Sequence, residues 1–514
     1  MKRKSDRYLL LALSGLALAG LALLLISCSG GSSGSVSSPA PAAAVPLTGT
    51  DVDQVVQAAA ESVNVPLVVA LTDRSGAILA VFQKPGAPAT STGNFGSVVD
   101  SSELAVALAR TAALFSNDQA PLSSRTVRFI SGIHFPPGVA FAPNADLYGI
   151  ENTNRGCPLN ATFNAGKAIS PARSIDGLNP GLGILTGKVD AMDSDPTAVN
   201  PGGVPLFKGG HAVGGIGVVS TSHEAAEFAA FSAASQSGLL PTATQLPAPG
   251  VVIIGGVSLP FVNQTSTPPG IGAGTATGAY IVGPGAGALP PEGDLVGPSG
   301  GTNGLTQADV SAIISQAVAT AQATRAVIRL PSGSRTHMTI AVADLDGTIL
   351  GLHRMPDATV FSIDVAVAKA RNVIYFSNST GTPDLPGVPA GTAVTNRTVG
   401  FGAQPLFPPG IDGSNPGPFF NLYQADLAHP CTQGSQAANP NQNGVVFFPG
   451  SLPLYKNGVL VGGLGVSGDG VDQDDYVTNA GAQGFAADAT IRADQVLIDG
   501  VRLPYLKFPR NPTD

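Results

Sequence analysis

Apolar residues recur at helical spacing early in the chain, at Val52, Val55, Val56, Ala59 and Val63, and again far downstream at Val310, Ile313, Ile314 and Val318. Each set predicts an amphipathic helix, over 51–63 and 309–319. β-rich runs follow the first helix at 66–72 and 78–82, separated by Asp73-Arg-Ser-Gly76, and the downstream counterpart turns at Asp346-Gly347. A short turn signal between two such runs predicts a hairpin. A second helix is predicted over 102–115 and 363–376, followed in both places by a long stretch rich in Pro, Asn and Gly. Regular pattern resumes at Val204-Pro-Leu-Phe207 and Leu452-Pro-Leu-Tyr455, each leading through a tight turn into a strand with paired glycines. A third helix, capped by Ser222, spans 222–234, with its counterpart over 472–485. Helix, hairpin, helix, hairpin, helix, strand is the order of an α+β domain, one antiparallel sheet flanked by helices. The two long stretches exceed ordinary connections, so they are expected to fold onto the domains or to carry function.

The downstream elements repeat the upstream ones residue by residue. Asp344-Leu-Asp-Gly-Thr-Ile-Leu-Gly-Leu-His353 echoes Asp73-Arg-Ser-Gly-Ala-Ile-Leu-Ala-Val-Phe82, and Lys456-Asn-Gly-Val-Leu-Val-Gly-Gly-Leu-Gly-Val466 echoes Lys208-Gly-Gly-His-Ala-Val-Gly-Gly-Ile-Gly-Val218. Arg110 with Phe115-Ser-Asn117 returns as Arg371 with Phe376-Ser-Asn378, and Leu147-Tyr148 returns as Leu422-Tyr423. The unit is too long for a solenoid repeat of about 20–50 residues. The expected organisation is two tandem domains, 47–262 and 305–514, joined by a Gly/Pro-rich linker over 263–304, part of which, Tyr280-Ile-Val282, is suited to lie on a domain surface.

The first 46 residues have a different character. Lys2, Arg3, Lys4 and Arg7 precede an apolar run from Tyr8 to Ile26, the charged-then-apolar order of an export signal. Leu25-Ile-Ser-Cys28 has the form of a bacterial lipobox, which implies a signal peptide over 1–27, cleavage before Cys28 and acylation of that residue; an uncleaved signal anchor is the alternative. Ser29 is not the Asp that retains lipoproteins at the inner membrane, so outer-membrane attachment is expected, facing periplasm or exterior. Residues 28–46 read as a flexible tether. Removal of 1–27 takes four basic residues and Asp6, changing the formal charge from −8 to −11. An acidic chain repels phosphate backbones, which argues against a nucleic-acid partner.

The second repeat resembles the GlcG/HbpS family of haem-binding proteins. The resemblance rests on Val342-Ala-Asp344, Asp346-Gly347, His353-Arg-Met355 with Ala358, Lys369-Ala370, Pro453-Leu454, Val461-Gly-Gly-Leu-Gly-Val-Ser-Gly468, Asp472-Gln-Asp474 and Ala480-Gly481. The first repeat keeps Asp73, Gly76, Ala87, Gly202-Gly-Val-Pro205 and Val213-Gly-Gly-Ile-Gly-Val218, but departs at Gln83-Lys84, at Leu108 in place of Lys369, and at Val219-Ser-Thr-Ser222. The resemblance implies profilin-like domains that form dimers and larger oligomers, and a haem or related tetrapyrrole as cofactor. Some relatives are proposed to degrade haem. Two fused copies then imitate a homodimer, with an approximate two-fold relation.

No Cys-x-x-Cys-His occurs, so a haem here is held non-covalently. The candidate cofactor-binding residues are His353, Arg354, Met355, Lys369, Gly462 and Gly463: His353 as an axial ligand and Arg354 as a propionate partner, or a strand-end His beside a surface Arg. His134 and His429 are loop alternatives, and Tyr148 and Tyr423 occupy matching positions from which a phenolate reaches ferric iron, or a buried phenol ties down a loop. Gly462-Gly463 and Gly214-Gly215 lack the Lys-Ser/Thr of a phosphate loop and are expected to mark packing across a domain interface, with ligand contact as the alternative. Asp469, Asp472, Asp474 and Asp475 lack the spacing of an EF-hand, and helix capping explains them without a metal. Once Cys28 is lipidated, Cys157 and Cys431 remain, nine and eight residues after the paired tyrosines. In an oxidising compartment they are expected to form a disulfide across the repeats, provided their Cα atoms lie within about 7 Å; two separate thiols are the alternative. The leading function is an envelope lipoprotein binding haem or a similar tetrapyrrole; a structural assembly protein without a ligand and a haem-degrading enzyme are the alternatives, and no residue is assigned a catalytic role.

Overall fold

A computed structural model describes residues 43–130, 147–159, 172–185, 200–242, 250–254, 257–409, 411 and 413–514. The expected signal peptide, Cys28, most of the tether and His134 lie outside the described residues. Among those described, no helix is long and apolar enough to cross a membrane.

Both opening helices start with the same device. In α1 (Gly49–Ser62) the Thr48 hydroxyl accepts from Asp51 N at 3.1 Å while the Asp51 carboxylate accepts from Thr48 N at 2.7 Å. In the downstream helix of residues 307–323, Thr306 and Asp309 repeat this capping box at 3.2 and 2.7 Å. The first repeat continues with β1 (Leu67–Asp73), β2 (Ile78–Gln83), α2 (Ser101–Phe115), α3 (Ser124–Ile130), β3 (Gly203–Lys208), β4 (His211–Ser220) and α4 (His223–Gln236), the last capped by Ser222. Two short strands follow in the segment between the repeats, β5 (Ala279–Val282) and β6 (Gly293–Val296). The second repeat comprises α5 (Gln307–Ala323), β7 (Thr339–Ala343), β8 (Ile349–Arg354), α6 (Phe361–Phe376), α7 (Asn396–Gly402), α8 (Phe420–Ala428), β9 (Ser451–Lys456), β10 (Val459–Ser467) and α9 (Val471–Gly481).

The two sheets have one topology. The first runs β3-β4-β1-β2-β5 and the second β9-β10-β7-β8-β6, antiparallel throughout. Each repeat is therefore an α+β domain of profilin-like layout. The segment expected to act as a linker does more than connect: it supplies the fifth strand of both sheets, covering the open edges of β2 and β8.

The paired glycines seat a helix on each sheet. A Cβ at Gly215 or Gly217 would lie 2.2 and 1.9 Å from the carbonyl oxygens of Ala109 and Ala105 in α2, and one at Gly463 or Gly465 would lie 2.1 Å from those of Ala370 and Ala366 in α6. The close approach is made by the repeat's own helix, which corrects the expectation of packing across the domain interface. Gly462 meets Ala343 O and Leu305 within its own repeat.

Residues 44–514 form one compact unit, and a single cluster of buried apolar side chains runs from Val52 and Val69 to Phe361 and Val365 across both repeats. Phe115 at the end of α2 stacks on Phe361 at the start of α6, with centroids 4.1 Å apart. Tyr148 lies 4.4 Å from its equivalent Tyr423, and Cys157 is bonded to its equivalent Cys431, with Cα atoms 5.2 Å apart. Two contacts between equivalent residues are what an approximate two-fold relation produces, because such pairs meet only near the axis. The insertions thus make the seam. Tyr423 donates to Glu151 at 3.0 Å, Asn152 donates to Asp426 at 2.9 Å, and Asn154 N donates to Asp364 at 2.7 Å. Burial pushes the Asp426 carboxyl up to about 8.

Candidate functional site

Where α2, α6 and α9 converge, the repeats leave a cavity of about 470 Å³, within the range of about 300–1,000 Å³ typical of small-molecule sites. Its aromatic wall comes from Phe115 of the first repeat and Phe361, Phe448 and Phe508 of the second. The segment 325–328 after α5, the turn Ser467-Gly468 after β10 and the first turn of α9 complete it. Three cations join this lining: Arg325, Lys507 and Arg510. The C-terminal segment is tied down, because Arg325 N donates to Pro512 O at 2.6 Å and Arg335 to Thr513 O at 3.0 Å.

Each carboxylate around α9 has a basic partner. Asp469 takes Arg329, Asp475 takes Arg397, and Asp472 takes Arg397 at 2.7 Å and Lys507 at 2.9 Å. Asp474 takes Lys369 at 3.0 Å, and the Lys369 ammonium also donates to Val466 O at 2.8 Å and sits 4.8 Å from the Phe448 ring centroid. Burial pushes the Asp474 carboxyl up to about 7 against the pull of Lys369, and pushes the Lys369 ammonium down. Ion pairs, in place of the expected caps, explain these carboxylates; the residue preceding α9, Gly470, supplies no side-chain cap. Among the described residues no His, Cys, Asp and Glu group is arranged to hold a metal ion.

None of the six residues singled out from the sequence as cofactor-binding lines this cavity, although Lys369 touches two that do, Phe448 and Asp474. His353, on β8, holds Asp294 of the added strand β6 through Nδ1 at 2.7 Å. The Arg354 side chain is wholly buried, its guanidinium donating to Ala358 O and to Pro291 O at 3.1 Å, and burial brings it down to about 10. It serves the turn that follows β8. Met355 Sδ accepts from Met338 N at 3.3 Å, and Gly462 and Gly463 pack within their own repeat. Burial pushes the phenols of Tyr148 and Tyr423 up, which disfavours a phenolate. His429 is exposed at the end of α8.

The sequence did hold part of the site. Ser467-Gly468 and Asp472-Gln-Asp474, which carry the family resemblance, do line the cavity, but the phenylalanines and the basic C-terminal residues belong to no local motif.

Residues 305–483 match the family described as "Haem degrading protein HbpS-like". No curated protein matches the chain. Similar solved structures include a PduOC haem complex, at 23% identity and TM-score 0.24 over 35% of this chain and 94% of that one. Another is the Klebsiella pneumoniae protein ORFY, at 20% and 0.22, over 35% and 86%. A third is a double mutant of Streptomyces reticuli HbpS, at 20% and 0.22, over 38% and 96%. The second repeat of this chain, over residues 305–483, belongs to the HbpS-like family.

Proposed function

We propose that the cavity between the repeats binds a flat, apolar, carboxylate-bearing ligand of the haem and tetrapyrrole class. The observation that carries this reading is the pairing of a four-phenylalanine wall with three cations, Arg325, Lys507 and Arg510, in one cavity of about 470 Å³. Aromatic faces stack on a macrocycle, and guanidinium and ammonium groups pair with propionates. The family of the second repeat supports the same class. The fit is to the macrocycle and its propionates. The described lining residues include no His, Cys, Met or Tyr, so the ligand is held by its faces and carboxylates.

Titration with hemin, followed in the Soret region, tests this reading. Lys507→Ala with Arg510→Ala is expected to weaken binding by about tenfold to a hundredfold, the value of one or two charge-assisted contacts. His353→Ala is expected to leave the affinity unchanged. A non-saturable response of the unaltered protein would overturn the assignment.

The envelope placement is part of the same proposal. The lipobox at Leu25-Ile-Ser-Cys28 is its support, and mass spectrometry of the mature protein from a bacterial host is expected to find an acylated N-terminal Cys28. An unmodified N-terminus would remove the anchor from the proposal.

A further inference from the structure

The first repeat contains a cavity of its own, about 360 Å³, in the place equivalent to the one just described. The correspondence is fixed by an ion pair that both repeats share. Arg125 pairs with Glu227 as Arg397 pairs with Asp475, and these carboxylates accept from Asn263 N and Lys507 N at the same distance, 3.0 Å. One residue back along each helix, Ala226 is the equivalent of Asp474, and Leu108 is the equivalent of Lys369; both first-repeat residues line their cavity. Gly202 and Gly450 confirm the alignment: a Cβ on either would meet the carbonyl of Val218 or Val466 at 2.4 Å, and the β-carbon of Ala226 or Asp474 beyond it.

The duplication therefore supplies an internal control. The same fold is built with Leu and Ala where the second repeat buries a lysine and an aspartate, so the fold does not require that pair. A buried ion pair is weak ground for stability, since an apolar replacement of similar volume often serves as well. A second observation concerns Asp474 alone. It is 2% exposed and forms part of the cavity wall; Lys369 occupies Oδ2, and Oδ1 has no hydrogen-bond partner. An acceptor left unsatisfied in a buried site is costly and calls for a reason.

We propose that Asp474, held in place by Lys369, accepts a hydrogen bond from a ligand N–H, and that the second-repeat cavity prefers linear tetrapyrroles, the bilins, to haem. This rests on the tetrapyrrole reading and deepens it. In haem the four nitrogens are taken by iron, and in a free-base porphyrin the N–H groups are enclosed by the ring; a bilin has an open chain whose N–H groups a carboxylate can reach. All three carry propionates for the rim cations.

The test compares hemin, protoporphyrin IX and biliverdin on the full-length protein, read by ligand absorbance. Biliverdin is expected to bind about tenfold to a hundredfold more tightly than the other two, the range of one hydrogen bond to a charged group. Lys369→Leu with Asp474→Ala, the first repeat's own residues, is expected to abolish that preference, lowering the biliverdin affinity about tenfold to a hundredfold more than the hemin affinity. Asp474→Asn is read by the same ratio, so a folding defect in the double variant does not decide the matter. Equal or tighter binding of hemin to the unaltered protein would overturn the inference, as would equal losses for all three ligands in the variants. If none of the three binds saturably, the tetrapyrrole reading itself fails, an outcome distinct from loss of the preference.

Discussion

Lys369→Leu by itself is expected to lower stability by about 3–5 kcal/mol near pH 8, the cost of leaving a buried charge without its partner. Lys369 is fully buried and its ammonium is the only cation bonded to Asp474 among the described residues. Adding Asp474→Ala should return most of the loss, because the equivalent pair Leu108 and Ala226 is accommodated in the first repeat. The sign of the pH dependence follows from Asp474. Its folded-state pKa, about 7, already stands above the ordinary carboxylate value of 3.8, burial being the cause; without Lys369 it rises further. A carboxyl whose pKa is raised by folding keeps its proton while the unfolded chain releases one, so its contribution falls as pH climbs from the unfolded value through the folded one. The single variant should accordingly be closer to the unaltered protein at pH 5 than at pH 8, and the double variant should lose this slope. Urea unfolding at the two pH values measures both. A single-variant cost below about 1 kcal/mol at pH 8 would mean that Asp474 does not depend on Lys369.

Loss of the Cys157–Cys431 bond is expected to have the next largest effect. The bond joins residues 274 apart in sequence, and cross-linking so long a loop restricts the unfolded chain; native disulfides typically contribute about 2–4 kcal/mol. Cys157→Ser with Cys431→Ser should lower the denaturation midpoint accordingly, and the unaltered protein in reductant should melt with the variant. The neighbouring Tyr148–Tyr423 stack and the buried bonds of Glu151 and Asp426 do not depend on the sulfurs, so the seam is expected to persist in weakened form. An unchanged midpoint on reduction would show that this seam alone holds the insertions together.

Much of the fold was legible because it is locally encoded. The stripe of Val52, Val55, Val56 and Ala59 is the buried face of α1, and the duplicated Thr and Asp at the helix starts form the capping boxes. Equivalent cysteines in two copies pointed to a disulfide that the two-fold relation brings together. Short pieces escaped: β5 and β6 are four residues each, set among Gly and Pro, and are strands only because β2 and β8 offer an unpaired edge after folding. The site escaped for a related reason. His353 and Arg354 look available beside a strand end, but β6 engages His353 and the turn to Ala358 absorbs Arg354.

The sequence by itself determined two α+β repeats and their order of elements, and it placed Cys157 and Cys431 at equivalent positions, from which their pairing was expected. Periodicity and capping act over a few residues, and duplication makes equivalent positions visible. Only the tertiary structure decided that Phe115 of one repeat meets Phe361 of the other, that residues 507–510 join the same lining, and that Lys369 lies buried against Asp474. A cavity is the space left where distant segments fail to fill the volume between them, and no single segment carries that information.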